Sequence, residues 1–134
     1  MRHRGLCFPT VTDLYWGIDL ESDDDTVTFI GAFPAVQRFY MLDTGDTILD
    51  TLIGSTKVGF QALWRHMHTI HLDAPNIPKA RQLVESRKNA GMPLRCLRMR
   101  KPKPKGHISD LHWLSSRLKV LWVPYDRRIF ESTE

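Results

Sequence analysis

The densest run of cations in this sequence is Arg95, Arg98, Arg100, Lys101, Lys103 and Lys105. Charges at such spacing suit a polyanion. Pro102 and Pro104 keep the loop extended, which spaces its lysines along a phosphate backbone. Contacts of this kind give affinity and salt dependence without reading sequence. Farther along, Trp113, Trp122, Tyr125 and Phe130 are interleaved with Arg117, Lys119, Arg127 and Arg128. Aromatics among cations can stack on single-stranded bases, although Trp113 sits on an apolar helical stripe and is assigned to the core. His66, His68 and His71 form a second cluster. On a helix, His68 and His71 would share a face at i, i+3 and could make a zinc pair, but no cysteine is close enough in sequence to complete the set. The acidic triplet Asp23-Asp24-Asp25 reads as a solvated turn.

These residues need elements to position them. Asp13–Leu20 and Thr26–Ile30 read as two strands of an N-terminal hairpin around the acidic turn, ended by Pro34. Gln37–Leu42 is a short apolar strand. Asp43-Thr-Gly-Asp46 is a turn, and Thr47–Ile53 returns as a strand. From Phe60 to about Leu72 the apolar positions Leu63, Met67 and Ile70 recur at i, i+4 and i+7, which predicts a helix. A second helix is expected from about Lys79 to Asn89, with Ala80, Leu83, Val84 and Arg87 inward and Gly91 as its C′ residue. Leu94–Met99 reads as a strand. Ser109 is placed as the N-cap of a third helix running to about Val120, followed by an extended tail from Trp122. From residue 37 the expected order is therefore β-β-α-α-β-α, with no internal repeat.

That order, with its residues, resembles the GIY-YIG nuclease family over about residues 38–126. Arg38-Phe39-Tyr40 stands where the family has its first motif, and Leu52-Ile53-Gly54-Ser55-Thr56 where it has its second. Trp64-Arg65-His66 falls in the first helix. Pro78-Lys79-Ala80, Asn89-Ala90-Gly91 and Leu94-Arg-Cys-Leu97 resemble the second helix, its stop and the third strand. Asp110–Leu114 resembles the third helix, and Pro124-Tyr125-Asp126 the closing motif. The resemblance implies phosphodiester hydrolysis with a divalent metal such as Mg²⁺ held by a carboxylate. It implies Tyr40 as base, Arg65 as phosphate ligand with His68 or His66 beside it, and Asp110 as metal ligand. It further implies Lys57, Arg95, Arg98, Arg100, Lys101, Lys103, Lys105 and Arg117 as nucleic-acid contacts. The catalytic set departs from the family. Leu52 replaces a tyrosine, Ala62 takes the arginine position in an ungapped count, and Asp110 replaces a glutamate. Tyr15 or Tyr125 could stand in for the missing tyrosine in space.

The implied fold is an α/β (α+β) domain: a small, mainly antiparallel three-stranded sheet flanked by three helices. Residues 1–36 form the hairpin extension, 37–126 the domain and 127–134 a tail. The chain has 134 residues, and its charged share of 25% is that of an ordinary globular protein. Its net charge of +4 hides a split. Residues 1–67 hold 5 Lys/Arg against 9 Asp/Glu, and residues 68–134 hold 14 against 6. The basic half is expected to meet nucleic acid, DNA before RNA, with a protein partner as the alternative. No apolar run is long enough to span a membrane, the basic Met1–Gly5 leads into no apolar signal segment, and Cys7 and Cys96 form no CxxC pair. The expectation is an intracellular, cytoplasmic protein with reduced thiols. It is either a divergent endonuclease or an inactive relative that binds nucleic acid or a nucleoprotein partner.

Overall fold

The computed structural model describes residues 7–17, 22–42, 46–54, 63–73, 76–100 and 105–123. Along them strands and helices alternate: β1 (Asp13–Trp16), α1 (Asp23–Gly31), β2 (Arg38–Met41), α2 (Asp46–Gly54), β3 (Thr69–Leu72), α3 (Ile77–Asn89), β4 (Cys96–Arg100), α4 (Ile108–Arg117) and β5 (Lys119–Val123). The strands form one sheet in chain order, and all four neighbouring pairs are parallel. This overturns the expected mainly antiparallel three-stranded sheet with three helices. The N-terminal hairpin is replaced by a strand and a helix, because β1 pairs with β2 and not with residues 26–30.

The corrections have local physical causes. Thr26–Ile30 carries β-branched residues, yet it is helical. Ser22 caps α1 by accepting from the Asp25 N–H at 3.1 Å, and Thr26 and Thr28 donate their hydroxyls back to the Ser22 and Asp24 carbonyls. Thr47–Ile53 is also helical. It buries Ile48, Leu49 and Leu52 on one face, with Asp46 favouring its positive end. The predicted helix over 60–72 is instead strand at its end, where Ile70 and Leu72 alternate with Thr69 and His71. His107, not Ser109, precedes α4, and residues 119–123 form β5. The readings of β2, β4, α4 and α3, whose end is marked by Gly91 at φ +80°, stand, and the first strand of the expected hairpin is present as β1.

A shared register aligns the strands in rows. Leu14, Phe39, Ile70, Leu97 and Val120 form one row, and Trp16, Met41, Leu72, Met99 and Trp122 another. Both rows point into the same core. Parallel β-α-β crossovers are right-handed, and the strand order runs in one direction only. Every helix therefore falls on one face of the sheet. Consistent with this, α1 packs on α2, α2 on α3 and α3 on α4. Each unit has one strand and one helix, and the strands recur at uneven intervals of 25, 31, 27 and 23 residues (14 to 39, 39 to 70, 70 to 97, 97 to 120). The chain is thus a strand-helix repeat, where the sequence reading finds none.

One polar knot lies inside the helix side. Trp64 sits at φ +50°, in the left-handed region. Its indole Nε1 donates to the Ile30 and Phe33 carbonyls at 3.1 and 3.0 Å, and its ring packs on Phe39. Arg87 from α3 is fully buried and donates to the Leu63 and Trp64 carbonyls. Burial pushes the Arg87 guanidinium down to about 10. This pair ties α1, α3 and the entry to β3 together.

Candidate functional site

Successive side chains in a strand point to opposite faces. The rows that alternate with the core rows therefore lie on the face that carries no helix among the described residues. The first is Asp13, Arg38, Thr69, Cys96 and Lys119, and the second is Tyr15, Tyr40, His71, Arg98 and Leu121. Asp73 and Arg100 follow at the carboxyl ends of β3 and β4.

The second row is a connected surface. Tyr15 stacks on Tyr40 with centroids 4.3 Å apart and planes within 7°. The Arg98 guanidinium lies over the Tyr40 ring at 5.5 Å, reaching across β3. Beneath these groups His71 is only 3% exposed, although no helix among the described residues covers it. His71 Nε2 meets Asp73 Oδ1 at 2.7 Å, and Arg100 donates to Asp73 Oδ2 at 3.3 Å. A carboxylate can only accept, so Nε2 carries the proton and Nδ1 is left as a bare acceptor. Nδ1 has no hydrogen-bond partner among the described residues, and neither has the buried Nε of Arg98. Burial holds His71 below the ordinary histidine value, against the opposing effect of the hydrogen bond it donates to Asp73. Burial and the neighbouring Tyr40 raise Tyr15.

The entry end of the face is electropositive. Arg38 is paired with Asp13 at 2.9 Å, both about half exposed. His68 contacts the Thr69 hydroxyl at 2.8 Å. It is held below its ordinary value by burial and then by Arg38 and Arg95. Among the described residues no carboxylate pairs with Arg98 or Lys119, while Asp73 serves Arg100.

The residues expected from sequence fall in different places. Tyr40, Arg98 and Arg100 share the uncovered face, and Tyr15 does lie against Tyr40. Arg65 lies in the exposed turn between Trp64 and Met67, and His68 just before β3. Asp110 is in the helix layer, where Arg81 donates to its Oδ1 at 3.0 Å. Arg81 and Arg117 flank the Trp113 ring at 4.7 and 5.3 Å. Tyr40 and Asp110 are therefore on opposite sides of the sheet. Leu52 is a fully buried core residue of α2. Arg95 and Lys105 are exposed in loops, whereas Lys57, Lys101, Lys103 and Tyr125 lie outside the described residues. His66, His68 and His71 lie on no helix, so the expected helical His68–His71 zinc pair does not form as such. Among the described residues no group of three or more His, Cys, Asp and Glu converges as a metal site.

Sequence reasoning offered Tyr15 as a stand-in near the site but missed His71 beside Tyr40 and Asp73 beside His71. The available signal was the recurring apolar-x-apolar triplet at Leu14-Tyr15-Trp16, Phe39-Tyr40-Met41, Ile70-His71-Leu72 and Leu97-Arg98-Met99, which puts the four middle residues in line. No helix among the described residues is long and apolar enough to cross a membrane. No protein-family model matches the chain, and no curated protein or solved structure is detectably similar to it.

Proposed function

We propose that the chain is a non-enzymatic recognition module that binds an acidic polypeptide segment across the uncovered face of its sheet. The observation that carries this reading is the Tyr15-Tyr40-His71-Arg98 row, with Lys119 beside it. Tyrosine and arginine are the side chains that dominate protein-protein hot spots. The layout, one strand and one helix per unit with cover on one side only, is that of leucine-rich arrays, whose strand side is a binding surface. Sites in open α/β sheets usually sit where the strand order reverses. This order has no reversal, which leaves the face itself as the place to bind.

A second reading, nucleic-acid binding, is favoured by Arg98 and Arg100 on the same face and by the basic second half of the chain. The geometry ranks it lower. Tyr15 and Tyr40 each give one ring face to the other and Arg98 lies over Tyr40, so little open π-face is left for bases to stack on. Tyr40 and Asp110, on opposite sides of the sheet, give nuclease chemistry no shared site.

Selection from a random peptide library on immobilised protein tests the proposal. Binders should be enriched in Asp and Glu, should perturb amide signals of β2 to β4, and should be lost with Arg98→Glu. Acidic binders that map to the helix layer, or an Arg98→Glu protein that selects the same peptides, would count against it. Salt-dependent retention of single-stranded DNA in the absence of acidic binders would favour the second reading.

A further inference from the structure

We propose that the acidic segment docks one of its carboxylates between His71 and Arg98, and that His71 takes up a proton at Nδ1 as the segment binds. This rests on the recognition function proposed above and deepens it, because it names the group that is read and couples the reading to pH.

Buried polar atoms are normally paired, and each exception calls for a reason. His71 and Arg98 are level with one another in the register of β3 and β4. His71 Nδ1 and Arg98 Nε are both buried, and neither has a hydrogen-bond partner, so no bond joins them to each other. Trp16, Asp46 and Arg87 carry further unpartnered atoms, but these lie one each on β1, α2 and α3. At His71 and Arg98 two such atoms fall on level neighbours, on the face with no helix among the described residues. What lies across this place is a long side chain: the Arg98 guanidinium reaches over the Tyr40 ring at 5.5 Å, and the Tyr40 and His71 ring centroids are 6.1 Å apart. Arg98 is only partly buried, and a side chain of this kind can swing without moving the backbone.

Donor and acceptor chemistry then selects the occupant. His71 Nε2 donates to Asp73 at 2.7 Å, so Nδ1 of the neutral ring is an acceptor, beside the N–H donor of Arg98 Nε. A carboxylate has acceptors only. Against the neutral ring, one of its oxygens would face the Nδ1 lone pair. Against the protonated ring it meets two N–H donors, both on cations, which is the stronger kind of hydrogen bond. An uncharged carboxamide fits the neutral ring instead, since its nitrogen donates to Nδ1 and its oxygen accepts from Nε. Docking a carboxylate here therefore requires one proton from solvent, and docking a carboxamide requires none.

The surroundings set the direction of the coupling. The groups about the imidazole are Tyr40 on β2 with Tyr15 behind it on β1, Arg98 and Arg100 on β4, and Asp73 at the end of its own strand. On the opposite side of the sheet the core rows carry no ionisable side chain. In the unbound chain burial opposes the charged ring most, the hydrogen bond to Asp73 favours it, and Arg98 and Arg100 oppose it. A docked carboxylate adds a second anion beside the ring and offsets Arg98, which shifts the balance toward the charged form. Linkage is reciprocal: a ligand that favours protonation binds more tightly as pH falls.

Titration calorimetry on the whole chain tests this, with a blocked hexaglutamate peptide and its hexaglutamine counterpart as probes. Between about pH 7.5 and about pH 5.5 histidine changes charge while glutamate stays ionised. Over that interval hexaglutamate should bind at least about tenfold more tightly, and hexaglutamine should not respond. Heats measured in two buffers of different ionisation enthalpy should report net proton uptake with hexaglutamate. His68 also titrates here, so nitrogen NMR of the histidine rings assigns the proton: His71 Nδ1 should be bare in the unbound protein and protonated in the complex. His71→Gln, shown to be folded by circular dichroism, should flatten the pH response. Hexaglutamate binding that is the same at both ends of the interval would overturn the inference and leave the acidic-segment reading in place. So would proton release, or a His71 Nδ1 that stays bare in the complex. If hexaglutamate binds at neither pH, the acidic-segment reading falls and this inference with it.

Discussion

Phe39 and Tyr40 are neighbours in β2, and they belong to different surfaces. Phe39 is 1% exposed and packs against Trp64 at 4.7 Å on the helix side. Tyr40, 8% exposed, is buried by Tyr15, His71 and Arg98 on the side with no helix. The same contrast runs across the sheet: Ile70 against His71, Leu97 against Arg98. Parallel sheets are usually covered on both faces, and their strands then read as unbroken apolar runs. Here β4 reads Cys-Leu-Arg-Met-Arg, alternating as a half-covered antiparallel strand would. A second helix layer would bury Arg98 away from water at a cost of several kcal/mol unless it supplied a partner. The alternation therefore reports single-sided cover among the described residues. On the other face Tyr15 and Arg98 keep part of their surface in solvent, while Tyr40 and His71 are buried between them.

The contrast can be broken hardest on the helix side. Phe39→Ala should lower unfolding free energy by about 3–5 kcal/mol, because it opens a cavity in a layer that has no slack. Urea denaturation would measure it. Next comes Arg87→Leu, which keeps much of the volume but leaves the Leu63 and Trp64 carbonyls without a donor. A loss of about 2–3 kcal/mol is expected. A variant as stable as the parent would mean that the knot does not hold the chain entry to β3.

How much of this is legible in the residues depends on the range over which each feature is decided. The α3 helix is readable, including its inward Arg87, because thirteen residues carry a full periodic pattern with Gly91 as a stop. β2 and β4 are readable as short apolar or alternating runs. α1 and α2 are not. Each spans nine residues, and in so short a segment Thr26-Val-Thr-Phe-Ile30 or Thr47-Ile-Leu-Asp-Thr-Leu-Ile53 satisfies a period of two nearly as well as one of 3.6. The identity of the sheet neighbours is decided by pairing across 23 to 31 residues, which no local pattern contains. Tyr40, Arg98 and Arg100 are therefore picked out by sequence, but Tyr15, His71 and Asp73 are not placed against them as a unit. The fold that the nuclease resemblance implied is overturned for the same reason. It requires Thr47–Ile53 to be a strand, and that segment is a helix built around Leu52.

On the uncovered side the effects on folding should be smaller and the effects on binding larger. Tyr40→Ala removes the stacked ring and part of the cover over His71. It should cost about 1–2 kcal/mol of stability, well below its neighbour Phe39. It should also abolish capture of acidic peptides, whereas Tyr40→Phe keeps the stack and most of the stability. If Tyr40→Ala destabilised as much as Phe39→Ala, the two faces would not differ in the way described.

The smallest effect is a slope with pH, and it sharpens the comparison from the side of His71. The groups around this imidazole are Tyr40 on β2, Arg98 and Arg100 on β4, and Asp73 at the end of its own strand. Burial keeps its folded-state value below 6.5, while in the unfolded chain it titrates near 6.5. Above that value both states are neutral at this position and stability does not respond. As pH falls through it, the unfolded chain takes up a proton that the folded chain refuses, so stability declines. The decline ends once pH has passed below the folded value. His68 is shifted in the same direction, so His71→Gln should reduce the slope without removing it. Urea midpoints measured from about pH 7.5 to about pH 5 would show it, as the interval in which histidine changes charge. A parent protein that gained stability on acidification relative to His71→Gln would mean that Asp73 outweighs burial, and the imidazole beneath Tyr40 would then be a cation paired with that carboxylate.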